Sequence, residues 1–321
     1  MTTMRTTHGA GSARARRWAG LLAAVAAAAL MAGCESMPKS GGLGGLGSAL
    51  SAVTGGGSGG GTKFDGVLDV VQGASAAFKD YTAEEQRQLG VEFSSVLLGA
   101  RPLLRNELVQ RYVNQVGWWV AQQADLPTGK DGKPLQFAWR FGVIDSDAVN
   151  AYATPGGFVF VTVGLMRQLK SESELAGVLA HEVAHVVRGH YLAAIKKGGF
   201  AQMAGGVVQA RAGNAAISSA MVNAVRNIYQ KGLDQGDEFD ADRMGMLYAA
   251  RAGYAPAGLP NVLKMYAANS AQDANYNLLF STHPAPADRI AKLTPLLGEK
   301  FAGAQGTGNE ARYMEIRRQL R

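Results

Sequence analysis

The chain of 321 residues reads as an α+β domain, mainly α, with a small β-sheet and one central buried helix. Three observations predict this class. Residues 173–197 carry Leu175, Val178, Leu179, Val183, Val186, Val187 and Leu192 around most of a helical circumference, with Ala and Gly between them. A helix that is apolar nearly all round belongs in a core. Residues 136–163 hold short aromatic and β-branched runs, divided by Asp145-Ser146-Asp147 and Pro155-Gly156-Gly157, which predicts two or three strands joined by turns. The segments on either side return to helical spacing.

The N-terminal part lies outside this domain. A basic stretch with Arg14, Arg16 and Arg17 precedes an apolar run from Trp18 to Ala32, a secretory signal layout over residues 1–33. The run is too short for a membrane span, which needs about 20 apolar residues. Leu30-Met31-Ala32-Gly33-Cys34 resembles the lipobox of bacterial lipoproteins, and Cys34 is the only Cys in the chain. One thiol can form no internal disulfide, so an exported chain fits a lipidated Cys34. Glu35 follows it, which favours outer-membrane over inner-membrane placement. Residues 34–63 are then the lipidated Cys and a Gly/Ser-rich tether that cannot bury enough surface to order itself.

Removing residues 1–33 takes away four Arg and no acid, leaving 28 Lys and Arg against 25 Asp and Glu, a net of about +3. Most of the apparent basicity belongs to the signal segment. With no basic stripe interleaved with aromatics, nucleic acid is excluded as a partner.

The domain is expected over 64–300. Thr82-Ala83-Glu84-Glu85 has capping-box spacing and leads a helix to about Leu98. A second helix runs from Asn106 to Gln123 on Leu108, Val109, Tyr112, Val113, Val116 and Val120. After the strands comes the buried helix to about Lys197, then a Gly/Ala/Met/Asn-rich stretch, 198–232, suited to a mobile lid or weakly amphipathic helices. Further helices are expected over Asp237–Arg251 and Pro256–Ala268. Residues 301–321 form a basic tail whose end, from Asn309, reads as a solvated helix.

The chemistry centres on His181-Glu182-Val183-Ala184-His185. On a helix the two His project about 40° apart, so both rings reach one metal ion. Glu182 can stand beside the same ion, where a carboxylate takes the proton from an attacking water. Two His and a Glu inside an apolar helix are costly to bury without a partner, and a cation is the simplest one. A catalytic zinc commonly takes three protein ligands. His190 follows His181 by nine residues, on the opposite face of a continuous helix, and suits a helix end or a place behind the ligands. Glu238 is the better third ligand. It and Asp242 are four apart at the start of a later helix, so Asp242 can accept the free ring N–H of a ligating His. Taken alone, these acids would be favourable charges at a helix N-terminus.

These motifs, with Asn150-Ala151-Tyr152-Ala153-Thr154-Pro155-Gly156-Gly157 before them and His283-Pro284 and Arg289 after, resemble the forty-eighth metallopeptidase family. This is the HtpX/Oma/CAAX-protease-like group of zinc metalloproteases. The likeness runs from about Thr82 to Leu297 and includes Tyr112-Val113-Asn114-Gln115-Val116-Gly117. Within the group the chain is nearest to the LoiP/BepA-type envelope lipoproteins, and to the short LoiP type among them, since it is expected to lack both a helical-repeat domain and membrane spans.

The resemblance implies a zincin-like (gluzincin) fold and one zinc ion per chain held by His181, His185 and Glu238, with Glu182 as general base. Asn150 and Ala151 would lie on the sheet edge that pairs with an extended substrate. His283 would approach the metal, stabilising the oxyanion or capping the zinc in a latent state. Arg289 would support the site or form a surface salt bridge. The expected protein is a periplasm-facing zinc endopeptidase that hydrolyses misfolded or misassembled envelope proteins. The rival reading is a lipoprotein assembly factor or chaperone that acts by binding and keeps the zinc for structure.

Overall fold

The computed structural model describes residues 81–197, 227–230, 232–269, 272–283 and 285–320. The expected signal segment, Cys34, the tether and most of 198–232 lie outside the described residues. Among the described residues no helix is long and apolar enough to cross a membrane. The architecture is mainly helical around a three-stranded sheet.

Local signals set the first helices. α1 (Ala83–Ala100) starts at a complete capping box: Glu85 N donates to Thr82 Oγ1 at 3.2 Å, and Thr82 N donates to Glu85 Oε2 at 2.6 Å. Two donors that a helix start would leave without partners are thereby satisfied. α2 (Glu107–Ala121) is capped by Asn106, whose Oδ1 accepts from Val109 N at 3.2 Å. Its Val109, Val113, Val116 and Val120 are buried, as the spacing predicts.

The sheet comprises β1 (Arg140–Ile144), β2 (Ala151–Thr154) and β3 (Phe158–Thr162) in the order β1-β3-β2. β1 runs parallel to β3, and β2 runs antiparallel with Ala151 opposite Val161. β2 is therefore an edge strand. The turn from β2 to β3 needs Gly156 at φ 78° and Gly157 at φ 99°, conformations that a side chain would strain. A Cβ on Gly156 would also stand 2.7 Å from Gln86 O, so α1 lies directly on the turn.

α3 (Val163–Gln168) leads to α4 (Glu172–Val187), the central helix, every residue of which is buried. Its cap is Ser171, whose Oγ accepts from Glu174 N at 3.2 Å. Against α4 pack α6 (Gln235–Arg251) and α7 (Gly258–Ala267). The approach of α6 is backbone-close: a Cβ on Gly245 would lie 2.8 Å from His181 N. The α6 backbone is thus brought against α4 at His181 itself.

Two expectations are corrected. The helix after Ser173 does not run unbroken to Lys197, because Gly189 adopts φ 71° and a separate helix, α5 (His190–Lys197), begins beyond it. Glycine tolerates that left-handed conformation and ends α4. The C-terminal tail forms the expected helix from Asn309, but that helix is not wholly solvated. After α8 (Asn277–Thr282) and α9 (Pro286–Glu299), α10 (Glu310–Arg317) and a 3₁₀ turn (Arg318–Leu320) fold back on the domain. Tyr313, Ile316 and Leu320 are buried, and the Tyr313 hydroxyl donates to Met166 O at 2.6 Å.

Candidate metal centre

α4 carries His181 and His185 one turn apart, with Nε2 atoms 3.0 Å from each other. α6 supplies Glu238, fully buried, with Oε1 3.3 Å from His185 Nε2 and Oε2 3.6 Å from His181 Nε2. One turn further along α6, Asp242 Oδ1 stands 3.0 Å from His181 Nδ1, on the side of the ring away from Glu238. The i,i+4 spacing on both helices thus sets two His against one carboxylate.

His283 ends α8, and its Nδ1 donates to both Glu238 oxygens, at 3.1 and 3.0 Å. Its Nε2 is 3.9 Å from Glu182 Oε1. Arg289, on α9, is 2% exposed, which rules out a surface salt bridge. Its Nε and Nη2 donate to the Asp242 carboxylate at 2.7 and 2.6 Å, and Nη1 lies 3.1 Å from Glu238 Oε2.

The donor set suits zinc. One ligand atom each from His181, His185, Glu238 and His283 lie within 4.8 Å of one another, all from buried residues. Imidazole nitrogens facing a carboxylate in a closed site are the donors that zinc takes. Burial holds His185 well below the ordinary imidazole value, so it is neutral. Burial alone would raise the Glu238 carboxyl, but His283 and Arg289 outweigh it and hold Glu238 well below the usual range. A neutral ring and a charged carboxylate are the forms that ligate a metal.

Glu182 differs from Glu238 although it is as buried. Its Oε2 has no hydrogen-bond partner, and burial raises its pKa. A carboxylate with a free oxygen and a raised pKa is an effective proton acceptor near neutrality. Beside it lies a cavity of about 20 Å³ lined by Ala151, Val178, Leu259, Tyr266, Leu279 and the site residues. That holds about one water and no substrate side chain.

Asn150 precedes the edge strand and Ala151 opens it. Thr162 N donates to Asn150 O, so in this antiparallel pair the Ala151 and Ala153 backbone groups point away from β3, to the outer side of the edge strand. Two of these groups have partners in the described fold. Ala151 N donates to Asn150 Oδ1 at 2.9 Å, and Ala153 O accepts from the Tyr229 hydroxyl at 2.6 Å. Tyr229, Tyr266 and the placement of His190 against His185 are features that periodicity does not reveal. Only the Gly189-His190 step hinted at the last.

Fold and site together define a class: a buried helix that presents two His to a Glu from a second helix, with a free carboxylate beside them, makes this a zinc metallopeptidase domain. Comparison with known proteins makes it particular. The model of peptidase family M48 matches residues 107–296, more than half of the chain, and the chain belongs to that family.

Among curated proteins it is 27% identical over 218 residues to the beta-barrel assembly-enhancing protease of Yersinia pestis, covering 65% of this chain and 43% of that protein. It is 30% identical over 165 residues to the mitochondrial metalloendopeptidase OMA1 of Schizosaccharomyces pombe, covering 50% and 47%. It is also 32% identical over 190 residues to a protease HtpX homolog of Burkholderia cenocepacia, covering 48% and 66%. The chain spans less than half the length of the first two.

Proposed function

We propose that this chain is an endopeptidase that hydrolyses peptide bonds in unfolded or misassembled envelope proteins while tethered to the membrane by a lipid on Cys34. The observation that carries the proteolytic reading is the free, buried Oε2 of Glu182 beside the His181, His185 and Glu238 ligand set. The lipobox-like Leu30–Cys34 and the single Cys support the tether. The likeness to an assembly-enhancing protease supports the substrate class.

His181, His185 and Glu238 would hold the zinc, which would supply the Lewis acid for amide hydrolysis. Glu182 accepts the proton of the attacking water at Oε2 and returns it to the leaving amine, which its raised pKa permits. Asp242 Oδ1, 3.0 Å from Nδ1 of His181, is placed to hold that ring's proton on Nδ1 and leave its Nε2 free to ligate. Arg289 holds Asp242 and Glu238 as anions. An extended substrate adds to β2 through the outward groups of Ala151 and Ala153. His283 on Glu238 and the small cavity support the reading of His283 as a cap on a latent form, over its alternative role of stabilising the oxyanion.

The test is Glu182→Gln, compared with wild type on an unfolded protein such as casein, with zinc content measured in both and an activated control run in parallel. Loss of about 10²–10⁴-fold in rate with zinc retained is expected. Equal rates would remove Glu182 as the base. Full rescue of an envelope defect by the same variant would favour action by binding alone.

A further inference from the structure

His190 has no role in the mechanism above, yet it is 2% exposed and its ring stands on a zinc ligand. His185 turns its Nε2 toward the ligand set, 3.0 Å from His181 Nε2 and 3.3 Å from Glu238 Oε1. A ring nitrogen that ligates zinc carries no proton, so the proton of neutral His185 sits on Nδ1. That Nδ1 lies 2.9 Å from His190 Nδ1. Two nitrogens share such a bond only when one of them is bare, so His190 Nδ1 accepts and its own proton is on Nε2.

The tautomer of His190 is matched by what it faces. Its Nε2 is buried with no partner at hydrogen-bond distance. It faces two carboxylates, with Asp240 Oδ2 at 3.6 Å and Asp237 Oδ1 at 3.9 Å. Asp240 is itself fixed, by Arg188 Nε at 2.5 Å and Arg243 Nη2 at 2.8 Å.

We infer that His190, backed by Asp240, is a positioning residue that sets the tautomer and ring angle of His185 in the zinc site. The two His ligands are then oriented by different devices. His181 leans directly on a carboxylate, Asp242, whereas His185 leans on a second imidazole that in turn faces a carboxylate. His190 is not a ligand itself, since its Nδ1 is taken by His185 and its Nε2 points at Asp240. The break at Gly189 makes this possible by swinging residue 190 out of the α4 spiral and back over His185.

The inference rests on the zinc-site reading but not on proteolysis, and its test uses no substrate. His190→Asn keeps an acceptor where Nδ1 stands, and His190→Leu keeps the bulk while removing it. Zinc is titrated into the metal-free full chain against a chromophoric chelator, and cobalt is loaded in parallel for its visible absorption. Leu should weaken zinc binding by about 10–100-fold and shift the cobalt bands, while Asn should recover most of the affinity. Equal affinity of Leu and wild type, or Asn as impaired as Leu, overturns the assignment. If circular dichroism shows the Leu chain unfolded, Asp240→Asn replaces it: weakening of about threefold or more upholds the role, and unchanged affinity ends it. A wild-type chain that binds no zinc would instead sink the metal reading itself.

Discussion

Nδ1 of His283 lies 3.0 Å from Oε2 and 3.1 Å from Oε1 of Glu238, so the ring at the end of α8 straddles the carboxylate that α6 brings to the candidate metal site. The same ring reaches toward Glu182, and only about 20 Å³ remains beside it. His283→Ala should therefore open the site. Casein hydrolysis should rise severalfold over the wild-type basal rate, while zinc binds more weakly for want of a fourth donor. A fall in hydrolysis instead would assign the ring to the transition state and discard the cap.

Arg289 holds two completely buried carboxylates, Asp242 through a paired contact and Glu238 through Nη1. Removing it leaves both uncompensated. Breaking a buried pair this way costs about 3–5 kcal/mol. Arg289→Ala should show that loss in urea unfolding and should also weaken zinc. Arg289→Lys should recover only part of either, because one ammonium cannot copy the guanidinium fork. Full recovery by Lys would mean that charge alone suffices.

How far the site was legible depended on whether helical period or tertiary packing decided each residue. His181, His185, Glu238 and Asp242 were readable because i,i+4 spacing converts directly into a shared face. Arg289 was ambiguous, since an Arg on an amphipathic helix ordinarily reaches water, and only the packing of α9 on α6 and α7 buries it. An unbroken helical period puts His190 on the face opposite His181, because a period carries no sign of a break. One glycine with positive φ moved it. The charges of the C-terminal helix suggest a solvated element, although Tyr313, Ile316 and Leu320 stand at i, i+3 and i+7. That spacing was the available signal for its buried face.

Tyr229 closes part of the edge to which a substrate strand would add, by donating to Ala153 O and packing its ring against Tyr152 at 5.6 Å. A bound peptide must take that carbonyl from it. Tyr229→Phe should lower KM for an extended peptide severalfold with little change in kcat, since it eases binding without touching the reacting groups. The lost hydrogen bond should cost about 0.5–1.5 kcal/mol of stability. An unchanged KM would place the substrate somewhere other than β2.

Glu172 ties the C-terminal clasp to the first turn of the catalytic helix, and it makes that tie sensitive to acid. The carboxylate is fully buried and accepts from Tyr112 Oη at 2.6 Å, Tyr254 Oη at 2.9 Å, Asn309 Nδ2 at 3.0 Å and both Nε and Nη2 of Arg312. Burial pushes its pKa up, but the bonds from Arg312, Tyr112, Asn309 and Tyr254 outweigh it, so the folded value lies below the ordinary one. Near these values the unfolded chain binds more protons than the fold, and stability rises with pH. The contribution is complete above the unfolded value, about 4.3, and is lost as pH falls through the lower folded value. Wild type should therefore exceed Glu172→Gln by about 1.5–3 kcal/mol near neutral pH. Arg312 is largely open to solvent, which favours the lower end. Urea unfolding of both chains from about pH 7 to pH 3 reads the difference, which should shrink toward the acid end. A gap that stays constant across that range would show that the carboxylate acts through packing and not through charge.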